Sequence, residues 1–376
     1  MLYYVGYYNC DQIRNEDRIV APAAENKMSY IISALLSAQK DNIEVVTPAE
    51  TKLNSFVKGR TVKLNDRTIL KTFSSFNNKS KLIRIIGHLF TRIYFFLYLI
   101  LKITSEDQLI VYHSLSYMKA VAFIRKIKKC NLIIEVEELY SDVFNNSKLR
   151  KKEIKYLQIA DSYLFITELL KNEVNTQKNS VISHGTYRSV KDIGQRFDDD
   201  KIHVVYAGTF RKAKGGVYTA IAAAEYLNDN FVLEILGGGS DEEISDVRNL
   251  IKDVSAKTTC KINYAGYKTG DEFNKYVQAC HIGLSTQLAD AKFGATSFPS
   301  KVLMYMSNGL KVVSIGIPAV ETSLVGKYIY YYKFQDAKAV ADAVKSVKYD
   351  DGYDSRKILD VLHRDFVFQL NELLGR

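Results

Sequence analysis

The chain has 376 residues, which suggests two domains, and 47% of them are hydrophobic, ample for two cores and ordinary for a soluble protein. Its four cysteines (Cys10, Cys130, Cys260, Cys280) lie far apart without CxxC spacing, which argues against a zinc or disulfide framework and for a reducing compartment. The net charge of +10 is uneven: residues 1–185 carry 27 Lys+Arg against 18 Asp+Glu, residues 186–376 carry 25 against 24, so the first half is the one suited to an anionic partner.

The N-terminus MLYYVGYYNCDQ has no basic start followed by an apolar core, so no signal peptide is expected. Leu2 to Tyr8 reads as a strand, about Lys27 to Gln39 as a helix, and Ile43 to Thr47 as the next strand. This βαβ spacing implies a parallel sheet, and no GxGxxG accompanies it. Thr51 to Lys71 is polar and suggests a hairpin. Leu109 to Tyr112 is a strand ending at His113, and Leu132 to Val136 is a strand ending in Glu137 and Glu138. Side chains at the C-terminal ends of parallel strands face the ligand crevice of an open sheet. Arg188 to Lys201 has no apolar period and reads as a linker. Strands then alternate with helices from Ile202 onward, and a long helix is expected from Ser355 to Leu374.

The segment FGATSFPSKVLMYMSNGLKVVS (Phe293–Ser314) reads as a polar loop, a short helix over Lys301–Ser307 opened by Pro299, a glycine stop at Gly309 and a buried strand. A helix N-terminus preceded by hydroxyls, with Lys301 one turn in, favours an anion. The stretch resembles the donor-site signature of GT-B glycosyltransferases, Pro-x-Lys-x-x-Glu-Tyr-Met-x-x-Gly-x-Pro-Val-Val. Pro299, Lys301, Tyr305, Met306, Gly309, Val312 and Val313 stand in matching places. Met304 replaces the signature's Glu, and Lys311 its second Pro.

The resemblance implies an α/β chain of GT-B architecture, two Rossmann-like domains with parallel sheets facing a central cleft. It implies an acceptor-side domain over 1–187, a nucleotide-sugar-binding domain over 188–354, and a C-terminal helix over 355–376 packing back toward the first domain. It also implies transfer of a sugar, from a UDP-sugar by expectation, with no cofactor or metal. The loop Gly208–Gly216 is similar to the family's diphosphate loop, which makes Arg211 and Lys214 the phosphate partners. The Gly237–Gly239 turn, with Gly238 at its centre, is expected close to the nucleotide, and Tyr267 after Gly266 is placed to stack on the base. Many retaining relatives hold the donor with a Glu-x7-Glu pair. Those places are Thr296 and Met304 here, so Thr296 and Ser297 are left to hydrogen-bond phosphate or sugar. On the acceptor side the resemblance assigns the Arg18–Asn26 loop. Glu138 and His113 are the candidates for orienting or deprotonating an acceptor hydroxyl. For Glu137 the plainer reading is an ion pair with Lys128 and Lys129, and for His113 a satisfied strand-end histidine.

Three rivals stand beside transfer: a nucleotide-sugar 2-epimerase, a non-catalytic binding protein, and a nucleic-acid binder. The last has no zinc-finger spacing, RNP-type motif or basic repeat to support it, so no nucleic acid is expected.

Lys81 to Lys102, KLIRIIGHLFTRIYFFLYLILK, is the remaining feature. Lys81, Arg84, His88 and Arg92 recur at helical spacing amid Ile, Leu and Phe. Two Arg make a span costly, whereas an interfacial helix lets basic residues meet headgroups while the apolar ones dip below. The alternatives are an anionic membrane surface and a buried core helix. The first suggests a cytoplasmic, peripheral protein acting on a lipid-linked glycan acceptor, as in capsule or O-antigen assembly.

Overall fold

The computed structural model describes residues 1–19, 21–38, 42–48, 50–212, 215–287, 296–349 and 353–375. The chain forms two compact units, one of residues 1–186 with 365–376, the other of 187–364.

The first unit contains β1 (Leu2–Val5), α1 (Pro22–Ala38), β2 (Ile43–Thr47), β3 (Ser55–Val57), β4 (Thr61–Asn65), β5 (Thr68–Thr72), β6 (Ser75–Asn77) and α2 (Lys81–Lys102). It continues through β7 (Gln108–Tyr112), α3 (Met118–Lys128), β8 (Asn131–Val136), α4 (Tyr140–Val143), α5 (Ser147–Leu157), β9 (Ser162–Phe165), α6 (Glu168–Val174) and β10 (Ser180–Ile182). The sheet runs β10-β9-β8-β7-β1-β2-β5-β4, parallel throughout except for β4 against β5. Segments such as LYYV, LIVY and LIIEV are apolar on both faces because helices cover both sides of a parallel sheet. Strand order reverses at β1, which lies between β2 and β7.

The polar stretch after β2 does more than form one hairpin. β4 and β5 make an antiparallel pair on the sheet edge, while β3 and β6 form a separate two-stranded ribbon. Arg18, 2% exposed, ties this region together: its guanidinium donates to Phe73 O (3.0 Å), Lys58 O (3.0 Å) and Glu16 Oε2 (2.7 Å). A residue assigned to an acceptor loop is thus a buried clamp.

Helix α2 meets β6 and α3 along one narrow stripe, Gly87, Thr91, Phe95 and Leu99. Leu82, Ile86, Leu89, Ile93, Leu97 and Leu101, spaced three and four apart on the opposite side, are all exposed. His88 and Arg92 flank the buried stripe and pair with Glu50 at 3.0 and 3.7 Å. The helix therefore points an apolar face outward along its whole length, where the sequence left open whether that face meets a bilayer or packs in a core.

The second unit contains β11 (Ile202–Thr209), α7 (Gly216–Ala223), β12 (Phe231–Gly238), α8 (Asp241–Ser255), β13 (Lys261–Gly266), α9 (Gly270–Ala279) and β14 (Ile282–Ser285). It ends with α10 (Ser300–Ser307), β15 (Lys311–Ile315), α11 (Pro318–Glu321), β16 (Tyr330–Tyr332), α12 (Ala337–Lys345) and the start of α13 (Ser355–Leu373). Its sheet, β13-β12-β11-β14-β15-β16, is parallel, and order reverses at β11 between β12 and β14. Residues 188–201 pack on this unit: Val190 N–H donates to Ser307 O (2.9 Å), and Gln278 Oε1 accepts from Ile193 and Gly194 N–H. The end of α13 belongs to the first unit, where Phe366 stacks on Tyr30 at 5.4 Å and Leu374 O accepts from Gln108 (2.9 Å).

Helix α10 is fastened by Tyr305. Its ring lies flat against Gly283, where any Cβ would collide with it. Its hydroxyl accepts from Ala207 N–H at 2.8 Å and donates to Leu284 O at 3.2 Å. Tyr305→Phe leaves the buried Ala207 N–H without an acceptor, a loss of about 1–3 kcal/mol. Chemical denaturation should show a lower midpoint at unchanged slope. An unchanged midpoint would mean that the hydroxyl does not hold the helix.

Candidate functional site

In the second unit, the ends of β11, β12 and β13 surround a cavity of about 510 Å³, lined by Gly208, Thr209, Gly237, Gly238, Tyr264 and Tyr267 among others. It sits beside the strand-order reversal, where open α/β sheets bind ligands. Its floor exists because two backbones touch. Gly237 has φ +133°, and a Cβ there would overlap the carbonyl of Gly208. A Cβ on Gly238 would meet nothing within 4 Å, so this turn faces open space.

The Lys301 ammonium lies against Gly208, where a Cβ would strike it, and 5.2 Å from the Tyr206 ring centroid. Helix α10 delivers it there. That helix starts one residue earlier than the sequence suggested, and Pro299, not a hydroxyl side chain, takes the cap position. Thr296 and Ser297 are half-buried just before the helix. Arg211 is exposed in the loop after β11, and Lys214 lies outside the described residues. Tyr267 is 78% exposed at the cavity rim. Lys268, another lining residue, pairs with Glu272 at 2.5 Å. Thus Gly208, Gly238 and Tyr267 line one cavity, and Lys301 stands beside it against Gly208. Ile244, Tyr264, Lys268 and Phe273 also line it, and no motif marked them in the sequence.

The first unit carries a polar cluster at the end of β8. Glu135 is fully buried, and Tyr4 donates to its Oε2 at 2.5 Å. Burial first, and then the charge of Glu137, push its carboxyl up to about 8, against the opposing pull of Lys27. Its Oε1 has no protein donor, so in the protonated form it can donate toward Glu137. Lys27 is buried, donates to Ser183 O at 2.6 Å and stands 3.5 Å from Glu137 Oε1. The partner of Glu137 is therefore Lys27 from α1, not Lys128 or Lys129. The charged residue inside the apolar strand NLIIEV was the sequence signal for this cluster, and nothing marked Lys27 as its buried cation.

Glu138 is half-buried, and burial followed by the charges of Glu137 and Glu153 raises its pKa. His113 is 2% exposed. Its Nδ1 is 3.2 Å from Glu138 O, and its Nε2 is 3.3 Å from Glu153, which accepts from Tyr140 and Ser141 N–H at 2.8 and 2.9 Å. Burial holds the imidazole below its ordinary value despite the Glu153 charge, so it is neutral and donates from Nδ1 to the carbonyl. His113 thereby fixes the turn that carries Glu138. Among the described residues, no three His, Cys, Asp or Glu side chains gather as a metal site.

Residues 201–350 match the family model described as Glycosyl transferases group 1. No curated sequence relative matches the chain. Three solved structures are similar in fold. The E. coli trehalose-6-phosphate structure bound with UDP-2-fluoro glucose has a TM-score of 0.68 at 11% identity, covering 99% of this chain and 97% of that one. Anabaena HepE in complex with UDP has a TM-score of 0.64 at 8% identity, covering 100% and 98%. The α,α-trehalose-phosphate synthase of Burkholderia xenovorans in complex with glucose-6-phosphate has a TM-score of 0.60 at 13% identity, covering 99% and 96%.

The Glu135 carboxyl gives a pH prediction. Its folded pKa lies above the model-peptide value, so its stabilising share is complete below about pH 4.5 and is lost as pH rises through about 8. Glu135→Gln mimics the protonated form. Its melting temperature relative to wild type should therefore rise between pH 5 and pH 9. A difference that stays constant or falls would show that Glu135 is ionised in the fold.

Proposed function

We propose that this chain, a glycosyltransferase of the GT-B fold, takes a sugar from a UDP-sugar and passes it to a hydroxyl of a membrane-associated, lipid-linked glycan acceptor. The observation that carries the reading is the Lys301 ammonium held against Gly208 beside the glycine-walled cavity. A nucleoside diphosphate needs an apolar slot for its base, backbone N–H groups close to its phosphates and a fixed cation. The cavity offers apolar walls and glycine backbone, α10 brings the Lys301 cation, and Arg211 adds a guanidinium able to bridge two phosphate oxygens. Two of the similar structures, those with UDP and UDP-2-fluoro glucose, support a uridine donor.

In the proposed step the acceptor oxygen bonds to the anomeric carbon. The bond from that carbon to the diphosphate oxygen breaks, and UDP leaves with the electron pair. Glu138, with its raised pKa, takes the hydroxyl proton. His113 serves as the residue that positions Glu138. Lys301→Ala should weaken UDP binding by about tenfold or more, the worth of a charge-assisted contact. Glu138→Gln should keep UDP affinity and lose turnover. Calorimetry with UDP and a transfer assay read the two separately. Normal UDP binding by Lys301→Ala would remove the donor assignment, and normal turnover by Glu138→Gln the base.

The membrane part of the reading rests on α2. It is the one helix among the described residues long and apolar enough to cross a bilayer, and only four of its 22 residues, Gly87, Thr91, Phe95 and Leu99, are buried. Exposed Phe123 of α3, its ring 5.5 Å from that of Phe96 of α2, adds to the apolar surface. Such a patch on a monomer marks an interaction surface. The +9 charge of residues 1–185 suits an anionic bilayer, each nearby basic residue adding about 1 kcal/mol. Wild-type protein should co-sediment with vesicles containing anionic lipid, less at high salt, and Leu89→Glu/Ile93→Glu should not. Equal sedimentation of both proteins would contradict membrane docking through α2.

A further inference from the structure

The first unit has its own pocket at its own strand-order reversal, and no residue of the signature touches it. Tyr7 after β1, Glu50 after β2, Ser116, Tyr117 and Lys119 after β7, and Arg92 and Phe95 of α2 enclose about 250 Å³. All but the two α2 residues follow the C-terminal ends of neighbouring strands, the place where open sheets take ligands. The volume is below the roughly 300–1,000 Å³ of drug-sized sites, so it suits one ring rather than a nucleotide or an acyl chain.

Its chemistry is mixed in a particular way. Three aromatic rings form the walls, with Tyr117 at 5.3 Å from Tyr7 and 5.5 Å from Phe95, centroid to centroid. Tyr7 is held upright by a 2.8 Å hydrogen bond between its hydroxyl and Ser114 Oγ. Aromatic walls bury the C–H face of a sugar ring. Glu50 supplies carboxylate oxygens that accept hydroxyls, and it is fixed by His88 at 3.0 Å and Arg92 at 3.7 Å. Lys119 is exposed at the rim and makes no ion pair among the described residues. With Arg92 and Glu50 offsetting each other, Lys119 leaves the pocket net positive.

We propose that this pocket seats a single pyranose ring bearing an anionic substituent, phosphate or carboxylate, with the ring against Tyr7, Phe95 and Tyr117, its hydroxyls on Glu50 and its anion at Lys119. The proposal deepens the transfer reading and rests on it: the occupant is the charged sugar of the acceptor. Because Arg92 and Phe95 come from α2, the seat lies on the helix whose opposite face is apolar. A lipid-linked sugar would thus be gripped from the same helix that meets the bilayer.

Saturation-transfer NMR on the full chain tests this with three probes: glucose 6-phosphate, glucuronate and methyl glucoside. At least one of the two anionic sugars should bind, and more tightly than methyl glucoside; which of them does so tells phosphate from carboxylate. Lys119→Glu should weaken that binding about tenfold or more. Ser116→Phe, which fills the pocket from an exposed position, should abolish it. Both variants should bind UDP as wild type does, which also shows that they are folded. The proposal is overturned if neither anionic sugar binds, if methyl glucoside binds as well as both, or if the two variants bind like wild type. Failure of wild type to bind UDP would strike the donor reading instead, and the anionic-sugar titration would still decide the pocket.

Discussion

The second unit depends on how closely two strand ends approach. Gly237 adopts a left-handed backbone against the carbonyl of Gly208, which no side chain would permit. Lys301 rests its ammonium on that contact. Tyr305 keeps Lys301 in place by pinning α10 over Gly283 and across two strands. Backbone contact, aromatic pin and cation form one unit: loosening any of them moves a charge relative to the cavity. This is a rigid arrangement on helices and strands, the kind that can stabilise developing charge without reorganising.

The first unit solves a different problem. It keeps several ionisable groups in a dry interior, and each is answered by a partner. Lys27 answers Glu137, Tyr4 answers Glu135, and two backbone N–H groups answer Glu153. Glu138, at the edge of this set, has a raised pKa and no ion pair among the described residues. The same unit turns the apolar face of α2 outward, a conspicuous liability unless something covers it.

What the sequence made legible follows from how local each signal is. The alternation of strands and helices, the Gly309 stop and the Lys301 position are set by residues within one βαβ unit, and they could be read. The Gly238 turn, set by the end of one strand, lines the cavity. The partner of Glu137 could not, because Lys27 reaches it from a helix more than a hundred residues away. Arg18 looked like a loop residue since nothing local shows that the distant carbonyls of Lys58 and Phe73 hold it. For α2 the hydrophobic period was plain, but which side the core takes depends on β6 and α3. The first-unit pocket draws on five separate segments and left no motif.

The central claim is that the glycine-walled cavity and Lys301 hold a nucleoside diphosphate. A crystal structure of the protein with UDP tests it most directly. The account predicts uracil between Gly238 and Tyr267 and a phosphate oxygen within hydrogen-bond distance of Lys301 Nζ. UDP bound elsewhere, or a diphosphate that does not touch Lys301, would contradict it.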